Sequence, residues 1–161
     1  MEKAFDCVDH NILLAKMDYY RIRGIMFTLI KSYLEDRYQW VKFNNTFSNW
    51  DKINIGVPQG SVLGPLLFLV YVNDLPSAIP CTVANTNPSI ILFADDTSVI
   101  INNPDLMNFE RNLNTNFRIV NEWFNSNFLS LNFDKTYYMQ FITRSKLLNN
   151  LNVEYDNKMI I

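Results

Sequence analysis

From Val62 to Val72 every residue is apolar except for the interruption at Gly64 and Pro65. A helix apolar on nearly all sides has to be covered, so the chain must build a core around this run. Eleven residues are too few to span a bilayer, which takes about 20. Pro65 is tolerated in a first helical turn, which sets the helix start close to Val62. The remaining sequence can supply the cover. It has 161 residues, 48% of them hydrophobic and 19% charged, and 14% are aromatic. That balance argues against disorder. A chain of this length can bury roughly 70% of its unfolded surface. No repeat period and no Gly/Ser- or Pro-rich linker divides it, so residues 1–161 are expected to form a single domain.

Charge and composition narrow the function. The formal net charge is -2, from 14 Lys+Arg against 16 Asp+Glu, which excludes a strongly basic nucleic-acid binder at the level of bulk charge. Cys7 and Cys81 are too few for a disulfide scaffold, and with His10 they cannot make a four-ligand zinc site. The start, MEKAFD, has no apolar h-region, so a soluble, intracellular chain is expected. The 22 Asn are scattered rather than clustered, which fits compositional drift better than a prion-like tract.

Along the chain, Asp9 reads as an N-cap for HNILLAKMDYY, with Ile12, Leu13 and Met17 at helical spacing. Gly24 breaks that helix, and IMFTLIKSYLEDR reads as a second one. YQWVKF alternates like a strand, Asn44-Asn45-Thr46 is a turn, and FSNWDKINI returns, which makes a hairpin. GVPQG is a loop leading into the apolar helix, which is expected to be buried on most sides. SIILF and TSVII flank Ala94-Asp95-Asp96 as a second hairpin. Asn103-Pro104 opens a long helix striped by Leu106, Leu113, Phe117, Val120 and Phe124. KTYYMQFI and LNVEYDNKMII read as strands. Mixed helices and hairpins give an α+β class.

Asp95 and Asp96 are the leading chemical feature. Neighbouring side chains in a strand point to opposite faces, but at a hairpin turn both can reach one ligand. Adjacent carboxylates repel unless a cation joins them, and such an oxygen pair suits Mg²⁺ with phosphates and waters as further ligands. The plain alternative is a solvated turn, where Asp is favoured anyway. GVPQGSVLGP presents backbone N–H groups before a helix, a phosphate-binding arrangement. It lacks the Gly-Lys-Ser/Thr of a Walker A loop, and a simple turn with an N-cap also explains it. Phe5, Trp50 and Trp123 are core residues by default, and Lys135 a solvated charge.

Five segments occur in order: KAFDCVDHNILLAKM, SYLEDRYQWV, GVPQGSVLGPLLFLVYVNDLP, LFADDTSVI and WFNSNFLSLNFDKTYYMQF. Together they resemble the reverse transcriptase domain of non-LTR (LINE-type) retrotransposons, nearest the jockey-like branch, over about residues 3–142. The resemblance implies an RNA-directed DNA polymerase whose palm subdomain is an antiparallel sheet with helices packed on one face. It implies that Asp95 and Asp96 bind catalytic Mg²⁺, with Mn²⁺ as a substitute ion, and that Asp95 is the essential ligand of the two. Gln59 and Gly60 match the loop that packs on template and incoming nucleotide. Phe5 matches the aromatic residue that screens the sugar 2′ position. Lys135 matches a basic residue near the triphosphate that can give a proton to pyrophosphate. The implied partners are an RNA template, a DNA primer and deoxynucleoside triphosphates, with no membrane; a nuclear location fits the family.

The sequence departs from that pattern at its ends. The family's first motif runs apolar-Asp-x-x-Lys-Ala-Phe-Asp, and Lys3–Asp6 match only its tail. Its catalytic Asp falls one position before Met1. Asp6 follows the gate aromatic in a different register, and Glu2 is out of phase for the role. Fingers motifs and a thumb have no counterpart. The expectation is therefore a truncated, inactive palm fragment. The alternatives are a non-catalytic RNA-binding or host-recruited module and, more remotely, an aspartic protease built on Asp96-Thr97-Ser98.

Overall fold

The computed structural model describes residues 1, 3–79, 88–102, 106–141, 153–155 and 158–160. They form two compact units. One holds Lys3–Asn73 with Asn127–Leu129; the other holds Met1, residues from Asp74 to Ser126, and the chain from Ser130 on.

In the first unit, a 3₁₀ turn (Ala4–Cys7) leads into α1 (His10–Tyr19). The Asp9 side chain caps α1, accepting from the N–H groups of Asn11 and Ile12 at 2.9 Å. Leu13 and Met17 are fully buried. Gly24, at φ +67°, turns the chain into α2 (Ile25–Leu34). This helix stops three residues short of the expected stretch, because Glu35 is extended and Asp36 sits at φ +52°. The hairpin forms with its ladder split in two. β1 (Tyr38–Gln39) pairs with β4 (Asp51–Lys52), and β2 (Lys42–Phe43) pairs with β3 (Thr46–Phe47). Asn44 and Asn45 both have positive φ, as a two-residue hairpin turn requires, and Thr46 belongs to the strand rather than the turn. The split falls where the Ser48 hydroxyl accepts the Val41 N–H at 2.8 Å.

The apolar run forms α3 (Leu63–Val72), with Pro65 in its first turn. It is less buried than expected. Leu67, Phe68, Tyr71 and Val72 are inside, but Leu66 is 53% exposed and Leu69 49%. Its main partners in this unit, α1 and the 3₁₀ turn, leave Leu66 and Leu69 half exposed.

The second unit begins with the short helix α4 (Leu75–Ala78). The acidic hairpin follows as β5 (Ser89–Phe93) and β6 (Asp96–Ile100), paired over five residues each. α4 lies against β5 and also against α5 (Leu106–Ser126). Asn103-Pro104, expected to open α5, lies outside the described residues. Val120 and Phe124 of the expected stripe are buried, and Leu113 and Phe117 pack with Phe109 and Phe133 around Val153. Val153 belongs to β7 (Val153–Tyr155), which pairs with β8 (Lys158–Ile160), so LNVEYDNKMII does form strands.

Two expectations are corrected here. KTYYMQFI makes no strand within the described residues: Lys135 ends a 3₁₀ turn (Phe133–Lys135), and residues 136–141 join no ladder. Tyr137, Met139 and Phe141 are all exposed, so no buried face fixes a register. The expected continuous sheet is also absent among the described residues, where the strands form four separate two-stranded antiparallel sheets. Each pairs strands that are near in sequence; a common sheet needs non-local partners. No described helix is long and apolar enough to cross a membrane. Helices with antiparallel strands keep the α+β class.

Candidate active site

The acidic hairpin has a two-residue turn, Ala94–Asp95, closed by the Phe93–Asp96 pair. Ala94 adopts φ +50°, a left-handed conformation that costs an L-residue roughly 1–2 kcal/mol. The tight turn sets Asp95 at the tip and makes Asp96 the first residue of β6. Both carboxylates are exposed. Asp96 shares its sheet face with Ile91, Phe93, Ser98 and Ile100, while Ile90, Leu92, Thr97 and Val99 form the more buried face. The terminal ammonium of Met1 donates to the Asp95 carbonyl at 3.1 Å.

Two adjacent exposed carboxylates are hard oxygen donors, and they fit a Mg²⁺-type ion that completes its shell with phosphates and water. Among the described residues, no group of three or more His, Cys, Asp or Glu side chains could hold a metal ion. Glu2, weighed as a stand-in, lies outside the described residues. Lys135 is in the same unit, exposed at the end of its 3₁₀ turn.

Phe5, Gln59 and Gly60 lie in the other unit, where the GVPQG loop is fastened onto the KAFD turn. The Gly56 N–H donates to the Val8 carbonyl and the Val57 N–H to the Phe5 carbonyl, each at 2.8 Å. Asp9 and Ile55 form an antiparallel bridge. The Gln59 amide donates to Asp6 Oδ1 at 2.7 Å. His10 Nε2 lies 2.8 Å from the Gly56 carbonyl; a carbonyl only accepts, so this nitrogen carries the proton. Gly56 has φ +86°, and a Cβ there would stand 3.1 Å from the Asp6 carbonyl oxygen and 3.2 Å from Asp6 Cα. Glycine is required by both conformation and space. Gly60, at φ +77°, faces open space. Ser61 ends the loop: its hydroxyl donates to Pro58 O at 2.7 Å and accepts the Gly64 N–H at 3.0 Å. The Phe5 ring is half-buried and rests on Phe68, centroids 4.8 Å apart.

The structure therefore brings Phe5 and Gln59 onto one fastened loop pair, and Asp95 and Asp96 onto one hairpin tip. Asp6, His10 and Gly56 went unassigned in the sequence. Asp6 and Gln59 are 53 positions apart, and no local pattern announces their bond. The close approach at Gly56 had one visible sign, a glycine two residues ahead of a proline at the loop's start.

The reverse transcriptase (RNA-dependent DNA polymerase) family matches residues 1–155. The chain is 33% identical over 137 residues to the "Probable RNA-directed DNA polymerase from transposon BS" of Drosophila melanogaster, covering 84% of this chain and 15% of that protein. It is 29% identical over 150 residues to the "RNA-directed DNA polymerase from mobile element jockey" of the same species, covering 90% and 16%. The "Probable RNA-directed DNA polymerase from transposon X-element", also of that fly, is 39% identical over 99 residues, 62% of this chain and 11% of its own. The chain thus spans less than a fifth of the length of these relatives. Motifs, family match and relatives agree: the chain belongs to the reverse transcriptase family, as a domain of the non-LTR retrotransposon kind.

Proposed function

We propose that this chain is the palm core of an RNA-directed DNA polymerase which, as part of a longer protein, joins deoxynucleotides to a primer 3′-OH by two-metal nucleotidyl transfer. The observation that carries the reading is the pair of exposed carboxylates on a tight hairpin tip, in a chain of this family. Asp95 and Asp96 hold Mg²⁺ or Mn²⁺. When bound, the ions supply charge neutralisation for the attacking and leaving oxygens. The chain's own residues bind and orient. Phe5, backed by Phe68, sets a ring against the sugar 2′ carbon, so that a ribose hydroxyl has no room. Gln59, held by Asp6, and Gly60, unobstructed at its α-carbon, face template and incoming nucleotide. Lys135 meets the triphosphate and gives a proton to pyrophosphate. The substrates are an RNA template, a DNA primer and deoxynucleoside triphosphates.

Two carboxylates are one short of the set that two-metal transfer needs. The resemblance puts the third immediately ahead of Met1, and the Met1 ammonium beside the Asp95 carbonyl supports that placement. Asp96-Thr97-Ser98, the basis of the protease alternative, opens β6, and membership of the reverse transcriptase family weighs against that alternative.

Primer extension on an RNA template tests the reading. The 161-residue chain alone should not extend a primer with Mg²⁺ or Mn²⁺. A longer protein carrying apolar-Asp before Met1 and a downstream thumb should, and Asp95→Asn should abolish it. Robust extension by the bare chain, lost in Asp95→Asn, would place the third carboxylate at Glu2 or Asp6. Extension that survives Asp95→Asn in the longer protein would end the proposal.

A further inference from the structure

The β1–β4 hairpin carries an aromatic cluster that the proposed chemistry does not use. Two of the chain's three tryptophans are on it. Trp40 meets Phe47 at 4.8 Å and Trp50 edge-on at 5.9 Å. The rings are not hidden: Trp50 is 67% exposed and Phe47 57%. A shallow, open groove of about 420 Å³ runs between Gln39–Val41 and Ser48–Asp51. Lys42 Nζ stands 5.3 Å from the Phe47 ring centre.

Charge is distributed unevenly around this cluster. From Arg37 to Lys52 there are three cations and one carboxylate, Asp51, which leaves 11 cations against 15 carboxylates elsewhere. At the base, Asp36 is taken up by Lys52 at 3.1 Å. Exposed ring faces on a hairpin with an excess of cations, in an otherwise acidic chain, match one ligand chemistry: unpaired bases joined by phosphates. A membrane is disfavoured by the polar tip, Asn44-Asn45-Thr46. Strand addition by a peptide is disfavoured because two-residue strands offer few main-chain bonds.

We propose that the Tyr38–Lys52 hairpin is a stacking platform for single-stranded nucleic acid, with bases on Trp50 and Phe47, which share a face with Trp40, and phosphates against Lys42. The inference rests on the polymerase reading only for the class of ligand. It gives the chain a strand contact separate from the acidic hairpin, on a part of the molecule that metal binding does not require.

The test titrates a 12-nucleotide oligouridylate into the 161-residue chain and reads tryptophan fluorescence in a Trp123→Phe background. The single strand should quench Trp40 and Trp50. Trp50→Ala should weaken binding roughly five- to a hundredfold, while Trp50→Phe, which keeps a ring, should retain most of it. Lys42→Gln should lower the slope of log affinity against log salt by about 0.7. Far-UV circular dichroism checks that each variant folds; these side chains are exposed, so the changes are surface changes. Unaltered binding by Trp50→Ala and Lys42→Gln, equal quenching by a 12-base-pair RNA duplex, or a response only to anionic vesicles would overturn the platform. Asp95→Asn separates the two proposals, because it should abolish Mn²⁺ binding and leave quenching intact. If Mn²⁺ binding survives that change while the strand still quenches, the polymerase reading falls and the platform stands.

Discussion

The three glycines around the GVPQG loop separate two kinds of constraint. At Gly60 a methyl group meets nothing within 4 Å, but φ is +77°. Gly60→Ala should therefore cost only the left-handed conformation, about 1–2 kcal/mol. Gly64 is helical, but a Cβ there would stand 2.8 Å from the Pro58 carbonyl oxygen. That overlap costs roughly 1–3 kcal/mol, offset by about 1 kcal/mol of helix propensity. Gly56 has both problems: φ +86° and backbone atoms of Asp6 at 3.1 and 3.2 Å. Backbone cannot swing aside as a side-chain end does, so Gly56→Ala should cost about 2–4 kcal/mol. It should also loosen the bonds from Gly56 to Val8 and from Val57 to Phe5. Urea unfolding read through Trp40 and Trp50, in a Trp123→Phe background, follows the unit that contains the loop. The expected order of destabilisation is Gly56 first, with Gly60 and Gly64 each smaller. If Gly56→Ala costs no more than Gly60→Ala, the loop is not pressed against the KAFD turn and the fastening described above is wrong.

Other consequences follow from single contacts. Asp6→Ala frees the Gln59 amide, and in an active longer protein it should raise the KM for nucleotide more than it lowers kcat; Asp6→Asn, which keeps an acceptor oxygen, should restore much of the loss. Phe5→Ala in the same protein should admit ribonucleotides, and unchanged selectivity in primer extension would make Phe5 a packing residue only. The Lys52 ammonium is held above its ordinary value, first by its hydrogen bond to Asp36 and then by the charge of that carboxylate. A raised lysine stabilises the fold fully below the ordinary lysine value, about 10.4, and loses that contribution as pH climbs through the raised value. Lys52→Met should therefore flatten the stability curve above about pH 10 and leave it unchanged between pH 6 and 8 apart from a constant offset.

Local signals in the sequence carried far. Asp9, Gly24 and Asn44-Asn45 mark a cap, a break and a turn because each answers a short-range demand: an unsatisfied N–H group or a positive φ. The Phe93–Asp96 turn was legible for the same reason, with apolar runs on both sides. What needed distant partners was not legible. The amphipathic look of KTYYMQFI does not say which edge it would pair with. The composition of Val62–Val72 demands cover but does not say that α1 and a 3₁₀ turn leave Leu66 and Leu69 half exposed. The resemblance named Phe5 and Gln59, yet their joining through Asp6, Gly56 and His10 depends on contacts 46 to 53 positions apart.

The central claim is that Asp95 and Asp96 are metal ligands at the hairpin tip. Mn²⁺ relaxation measured on the 161-residue chain, its Asp95→Asn variant and a version extended by apolar-Asp ahead of Met1 tests it most directly. Ligand number governs affinity for hard cations. The account predicts weak binding by the bare chain, none by Asp95→Asn, and at least about tenfold tighter binding by the extended chain, or about 1.4 kcal/mol. Micromolar binding by the bare chain that Asp95→Asn leaves untouched would contradict it and place the metal elsewhere.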